Sequence, residues 1–336
     1  MGVLTDSGVM PPVVATFFDR KLLIRALPRL VHARVTQRRS LRQRSGNTIV
    51  FRRVEALALA TTPLVEGVPP AGSKLSHTDI SVKIQQWGDY VTVTDLVKAT
   101  IDHPLLNDAN KVLGEQAAQT IDVLTARVEA AGTQIFLGGN VATRGDLKDT
   151  GQKVDGSILD RAVRLLDENN ATRYTQIIGA SVKVNTFPIR AAFWAITHPD
   201  VIFTLQELAG WISLEEYAGT GKTMEAEKGA FKDIRFLSTT QATVYRGGGG
   251  TAAGDVKSTS ALADVYTILI FAEEAVASVP FEAMSLENII KPIGASGAAD
   301  PLNQRGTSGW KHTGARIRLN ELFMVRIEVT AAGIAP

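Results

Sequence analysis

The chain has 336 residues, 45% of them hydrophobic, which is enough to bury a substantial core in one large domain or two to three smaller ones. Positive and negative charges nearly cancel, 36 against 34, and there is no cysteine, which excludes thiol catalysis and cysteine-based zinc sites and leans towards folding in a reducing compartment. The opening MGVLTDSGVMPPVVATFF lacks the basic start and apolar run of a secretion signal, and Asp6 stands where a myristoylation motif wants Ser or Thr. No stretch approaches the ~18 apolar residues of a membrane span. The expectation is a soluble protein, intracellular when made.

Charge is balanced in sum but not in place. From Arg20 to Val54 there is no acidic residue, while Arg20, Lys21, Arg25, Arg29, Arg34, Arg38, Arg39, Arg42, Arg44, Arg52 and Arg53 are all basic. Such a segment repels itself unless it is solvated or a partner neutralises it, for which nucleic acid, a scaffolding protein and an acidic neighbour are the candidates. Sequence-specific DNA reading is not indicated, because no recognition-helix or zinc-finger pattern lies nearby. Base stacking lacks platforms, since no aromatic residue falls between Phe18 and Phe51.

Thr48–Val54 is rich in β-formers, Ile80–Gln86 alternates apolar and polar residues, and Tyr90–Thr94 continues the theme. The loop composition of Glu66–Ser73 lies between them. Together they predict a long two-stranded excursion with a flexible tip. An isolated hairpin is marginal in water, so this one needs a surface to lie on, in its own domain or a neighbouring subunit.

The period then changes. Leu105, Leu106, Ala109, Val112, Leu113, Ala117, Ile121, Leu124 and Val128 recur at helical spacing, between the breaker Asp102–Pro104 and Gly132. A helix of ~28 residues would be ~42 Å long. A Gly-rich turn region spans 138–156, and Ile158, Ala162, Leu165 and Leu166 predict a second helix ending near Asn169–Asn170. Residues 177–197 are apolar without clean alternation, and His198–Asp200 breaks the chain. Val201–Tyr217 reads as helix, Ile234–Leu237 and Ala242–Tyr245 as strands, Gly247–Gly254 as a mobile exposed loop, Val265–Phe271 as a buried strand, and Arg316–Val329 as β. Helices and strands mix without a βαβ repeat, so the class is α+β.

Catalytic motifs fail one by one. Gly219–Thr223 (GTGKT) resembles the end of a phosphate-binding loop, but that loop needs a glycine where Glu216 stands, and the preceding segment reads as helix rather than strand. His32, His77, His103, His198 and His312 form no metal-binding spacing, and His103 and His198, each before a proline, read as turn residues. No Gly-x-Ser-x-Gly elbow is present. The adjacent pairs Glu215–Glu216 and Glu273–Glu274 do not face each other on a helix. An enzyme built from distant carboxylates is an alternative that would show one deep pocket with convergent groups.

The carboxyl-terminal quarter carries a resemblance. Asp300–Lys311 (DPLNQRGTSGWK), followed by Arg316–Asn320, resembles a segment of tailed-bacteriophage major capsid proteins. Thr48–Arg53 with Leu64–Gly67, Gln86–Gly88 with Asp95, Leu113–Ala117 with Asp122, His198–Pro199 and Lys228–Gly229 with Arg235–Phe236 are weaker landmarks in the right order. Glu227–Phe231 departs from the family, whose members tend to carry a Gly-Glu-Ile-Gly-like turn there. The resemblance implies the Hong Kong 97-like capsid fold, with an N-terminal arm over 1–45, an extended loop over 46–95, a peripheral domain with a long spine helix over 96–154 and 263–336, and an axial domain over 155–262. It implies a structural, non-enzymatic, cofactor-free subunit that forms hexamers and pentamers of an icosahedral shell, built in the bacterial cytoplasm around double-stranded DNA. Scaffolding, portal and cement proteins are further implied partners, and no membrane is involved. Trp87, Asp300, Asn303, Gln304, Arg305, Trp310 and Lys311 are the intersubunit or packing candidates, and Arg25, Arg29, Arg34, Arg38, Arg39, Arg42 and Arg44 the basic arm. Some shells of this fold cross-link lysine to asparagine, but nothing here marks a pair. The competing reading is a nucleic-acid-binding protein that uses the basic segment.

Overall fold

The computed structural model describes residues 31–63, 66–67, 72–95, 105–174, 191–217, 224, 226–282, 284–295 and 302–333. Arg25, Arg29, Asp300, His103 and the GTGKT motif lie outside the described residues, as does most of the apolar stretch 177–197. In chain order the first elements are β1 (Gln37–Arg38), β2 (Thr48–Val54), β3 (His77–Lys83), β4 (Gln85–Thr94) and the long helix α1 (Leu105–Ala130). Then come β5 (Ile135–Leu137), α2 (Gly156–Glu168), β6 (Phe193–Thr197), α3 (Pro199–Gln206), β7 (Trp211–Ser213), α4 (Leu214–Tyr217), β8 (Glu227–Phe231), β9 (Ile234–Ser238) and β10 (Val244–Tyr245). The chain finishes with β11 (Ser258–Thr259), β12 (Leu262–Ala263), β13 (Val265–Phe271), β14 (Val276–Pro280), β15 (Glu287–Lys291), β16 (Arg305–Arg318) and β17 (Met324–Thr330). The class is α+β, as the mixed pattern implied.

Two sheets organise these elements. The larger runs β5-β17-β13-β6-β9-β8-β7, with β10 also on β13. Strands β6, β13 and β17 are buried along their whole length, because both faces of this sheet are covered. On one face α2 contributes Ile158, Leu159, Ala162 and Leu166, packed with Phe193, Ile268, Ile270 and Ile327. On the other, Val31, Val35 and Tyr174 pack with Trp194, Ile196, Leu269 and Phe271. Helix α2 starts where Asp155 accepts the Ile158 N–H at 2.8 Å, the capping that an isolated helix start requires. The second sheet runs β1-β14-β16-β15, with β4 along the other edge of β16.

Five expectations are revised. Tyr90–Thr94 is not part of the excursion: β4 leaves the hairpin and pairs antiparallel with β16 from Thr94↔Arg305 to Gln85↔Gly314. Strands β13 and β17 join the large sheet beside β6, so the carboxyl-terminal region divides, and only β14, β15 and β16 lie in the sheet that packs on α1. Helix α1 matches its stripe at Leu113, Ala117 and Ile121, but Val112 is 64% exposed, while Asp122, Thr125 and Glu129 are buried instead. Val201–Tyr217 is two short helices separated by β7: the first ends at Gln206, and Gly210, at φ +98°, shapes the turn that leads into β7.

The Gly247–Gly254 segment is not a free loop. Gly249 N–H donates to Ala263 O at 2.9 Å, Gly250 N–H to Leu147 O at 3.0 Å and Ala253 N–H to Lys148 O at 2.8 Å. A Cβ on Gly249 would stand 2.2 Å from Leu147 O. The glycines let two backbone segments approach until they hydrogen-bond, so their low apolar content reflects close packing rather than mobility.

Candidate assembly surface

The hairpin forms because Thr48–Val54 and His77–Lys83 each offer a β-branched or aromatic residue at alternate positions. The register pairs Ile49 with Val82, Phe51 with Ile80 and Arg52 with Asp79. At its base Ile49, Phe51, Val82 and Ile84 pack on Leu41, Val279, Ala315 and Phe281 of the body. Exposed polar groups continue the hairpin beyond its base on both faces. Arg52 forks onto Asp79 at 2.8 and 2.9 Å, and Glu55 accepts from Thr78 Oγ1 and from Arg53. The Arg52 guanidinium holds the Asp79 carboxyl below its usual range, and Thr78 and Arg53 do the same for Glu55. Beyond the base the apolar side chains have no cover: Leu59 is 87% exposed and Leu75 73%, with Val50, Val54 and Leu57 also exposed. Uncovered leucines grouped on a protruding element mark a contact surface.

Residues 37–41 run along the edge of the second sheet. Strand β1 pairs parallel with β14, Arg39 N–H donates to Ser278 O at 3.0 Å, and Leu41 N–H donates to Pro280 O at 3.0 Å. Leu41 is buried and anchors the strip, while Arg38, Arg39, Arg42 and Arg44 are exposed. An open cleft of about 390 Å³ lies beside it, lined by Arg38, Ser40, Pro280, Glu282 and Ser285. It gathers one guanidinium and one carboxylate, not the convergent set an enzyme would need. Among the described residues no group of His, Asp and Glu is arranged to hold a metal ion. The half-buried cluster at His198 is structural: its Nδ1 accepts the Asp200 N–H and caps α3, and Asp200 in turn accepts from Lys257 Nζ at 2.6 Å and Tyr266 OH at 2.9 Å.

The aromatic candidates turn inward. Trp310, only 4% exposed, packs on Leu113 and Ala117 of α1, and its Nε1–H donates to Gln116 Oε1 at 3.0 Å. Gln116 passes the interaction on by donating to Asp89 Oδ2 at 2.6 Å, and Ser308 Oγ donates to Asn110 Oδ1 at 2.5 Å. Between them Gly309 faces the other way, where a Cβ would lie 2.7 Å from that of Tyr90. The Ser-Gly-Trp order therefore alternates helix-facing anchors with a residue that lets β4 close on β16.

Trp87 stacks on His312 with ring centroids 6.0 Å apart, and the Arg316 guanidinium lies 5.2 Å from the Trp87 ring. Arg316 Nη2 donates to His312 Nε2 at 2.9 Å and its Nε to Thr125 Oγ1 at 3.1 Å, while His312 Nδ1–H donates to Ser285 O. Burial and the Arg316 charge push His312 down to about 4, and burial brings Arg316 down to about 10. His312 is thus a neutral acceptor at neutral pH, welding β4, β16 and α1. Arg305 is exposed at the start of β16, Lys311 is half-buried between β15 and β4 with its Nζ 3.5 Å from Glu287, and Gln304 O accepts the Asp95 N–H at 3.0 Å. Asn303 takes φ +54° just before β16. The sequence candidates hence divide into packing residues, Trp87 and Trp310, and polar residues in or just before β16.

A buried cluster that sequence reasoning passed over joins the amino-terminal segment to α1. His32 Nδ1 stands 2.5 Å from Glu129 Oε2, and the His32 N–H donates to Asp122 Oδ1 at 2.9 Å. The available signal was two carboxylates seven positions apart inside the apolar stripe of a helix, where a charge must have a partner.

No protein-family model and no curated protein sequence matches this chain. Solved structures do. The capsid of Ralstonia phage GP4 superposes with a TM-score of 0.65 at 12% identity, covering 90% of this chain and 88% of that one. The cyanophage Pam1 capsid asymmetric unit gives 0.59 at 14% identity over 89% of each chain. The capsid of cyanophage P-SCSP1u gives 0.56 at 15% identity, over 89% of this chain and 87% of that one. The architecture built from these two sheets, the long helix and the projecting hairpin is the fold of phage capsid proteins.

Proposed function

We propose that this chain is the major capsid protein of a tailed bacteriophage, a structural subunit that assembles with copies of itself into the shell around the genome. The observation that carries the reading is the match to capsid chains over about 90% of this chain and a similar share of theirs. In Hong Kong 97-like terms, residues 1–45 are the arm and the extended loop runs from 46 to 84, its end moved back because β4 is committed to the sheet. Helix α1 with β4, β14, β15 and β16 makes up the peripheral domain. The large sheet with α2 makes up the axial domain, including β13 and β17. Hexamers and pentamers form as the hairpin of one subunit covers the next, and many weak contacts sum to a stable shell. Arg38, Arg39, Arg42 and Arg44, with Arg25, Arg29 and Arg34 before them, meet an acidic partner: scaffold during assembly in the host cytoplasm, packaged DNA afterwards. Portal and cement proteins complete the partner set. A dedicated nucleic-acid-binding protein is disfavoured because the structural relatives are capsids.

Sedimentation of the full chain expressed in bacteria tests this. The expected result is material far heavier than the 36.1 kDa monomer. A single monomeric species at every concentration, with or without co-expressed scaffold, would overturn it.

A further inference from the structure

We infer that His32, Asp122 and Glu129 form a proton-gated clasp that fixes the amino-terminal segment to the long helix, and so sets where the preceding arm leaves the body. The inference concerns this chain's own packing and does not depend on the shell reading.

The geometry is specific. His32, Asp122 and Glu129 are all fully buried. A short 3-10 turn, His32–Arg34, presents its first backbone N–H groups to α1, and Asp122 accepts that of His32 at 2.9 Å, as a capping carboxylate does. Glu129, two helical turns further along the same face, takes the imidazole at 2.5 Å. Among the described residues, His32 Nε2, Asp122 Oδ2 and Glu129 Oε1 have no hydrogen-bond partner, so the cluster's polar contacts run between His32 and the two carboxylates. The next residues are tied down in turn. Tyr174 OH donates towards Val35 O at 2.9 Å and Ala272 O at 2.8 Å, Val31 and Val35 enter the core of the large sheet, and β1 joins β14. If the clasp opens, residues 31–41 lose their contacts with the Asp122 and Glu129 carboxylates of α1.

The groups that face His32 are Asp122 and Glu129 on α1. From the sheet side Tyr174 feels the Glu129 and Glu273 charges, and burial first, then those charges, hold its hydroxyl in the protonated form. Burial alone would lower His32, but Glu129, with Asp122 behind it, offsets this and holds the imidazole above its ordinary 6.5. Burial raises Asp122 and Glu129. All three shifts have one sign: the docked segment holds more protons than the released one. The contribution of His32 is fully present below pH 6.5 and is lost as pH rises through its raised value, so the clasp is tight in mild acid and loosens in base. His312 runs the opposite way, since its depressed value removes stability as pH falls from 6.5 towards 4. Global unfolding curves would mix the two, and a local measurement is required.

Hydrogen–deuterium exchange of the full chain, read at residues 31–41 at pH 6 and pH 9 and corrected for intrinsic exchange, supplies it. Because the docked segment holds protons that the released one gives up as pH rises, opening is expected to be greater at pH 9 than at pH 6. Strand 265–271 is the internal control and should hold its protection. Glu129→Gln should abolish or reverse the rise in opening of 31–41 at pH 9, because without that charge burial lowers His32 instead. Equal corrected protection at both pH values in the wild-type chain overturns the clasp. So does a Glu129→Gln protein with an intact control strand and an undiminished pH response. Should that variant unfold, the wild-type comparison decides alone.

Discussion

Replacing Leu57, Leu59 and Leu75 together by aspartate is expected to abolish assembly while leaving the subunit's own unfolding midpoint nearly unchanged. All three are exposed on the single chain, and none belongs to a described core cluster. Substitutions at such positions shift stability by about 0.5 kcal/mol or less. In the proposed shell the same positions would press against a neighbour, where each unpaired carboxylate costs several kcal/mol. That cost repeats at every subunit contact, so the weak pairwise attraction is lost many times over. Size-exclusion chromatography beside thermal unfolding separates the two effects. Normal particles from the triple variant would show that the hairpin's apolar residues do not form the contact.

Trp310→Ala acts inside the subunit instead. It removes the side chain that fills the space between β16 and Leu113 and Ala117, and it leaves Gln116 Oε1 without its donor. A buried tryptophan truncated to alanine costs ~3–5 kcal/mol, a large share of the ~5–15 kcal/mol that holds an ordinary domain folded. Urea unfolding should show that loss. Lys311→Ala, one residue on, should cost no more than ~1 kcal/mol, because its 3.5 Å pair with Glu287 is partly solvated. Equal losses for the two would contradict the placement of Trp310 as the anchor between strand and helix.

What the sequence disclosed followed the range of each signal. The hairpin was legible because alternation over Thr48–Val54 and Ile80–Val82 is a local pattern, and the long helix because Leu113, Ala117 and Ile121 repeat within it. The fate of Tyr90–Thr94 was not legible. A strand of that composition looks the same whether it continues a hairpin or crosses to a distant partner, and β16 lies more than 200 residues further along the chain. The glycines of 247–254 suggested freedom because their partners, Leu147 and Lys148, are about 100 residues away. The division of the carboxyl-terminal strands between two sheets failed to show for the same reason: β13 and β14 are nearly adjacent in sequence, yet only β13 pairs with β6. The His32 clasp was hidden furthest, since His32 and Glu129 are 97 residues apart and each alone reads as an ordinary polar residue. Trp310 was singled out through the resemblance of its segment to capsid proteins, and its contacts supply the physical reason: alternate residues that bind α1 and a glycine that admits β4.

The central claim is that this subunit works by lying across copies of itself. Cryo-electron microscopy of particles assembled from the full chain tests it most directly. The account predicts a closed shell of five- and sixfold rings in which residues 46–84 of each subunit cover a neighbour and bury Leu57, Leu59 and Leu75. A shell whose hairpins point into solvent, or a protein that forms no ring or shell under any assembly condition, would contradict it.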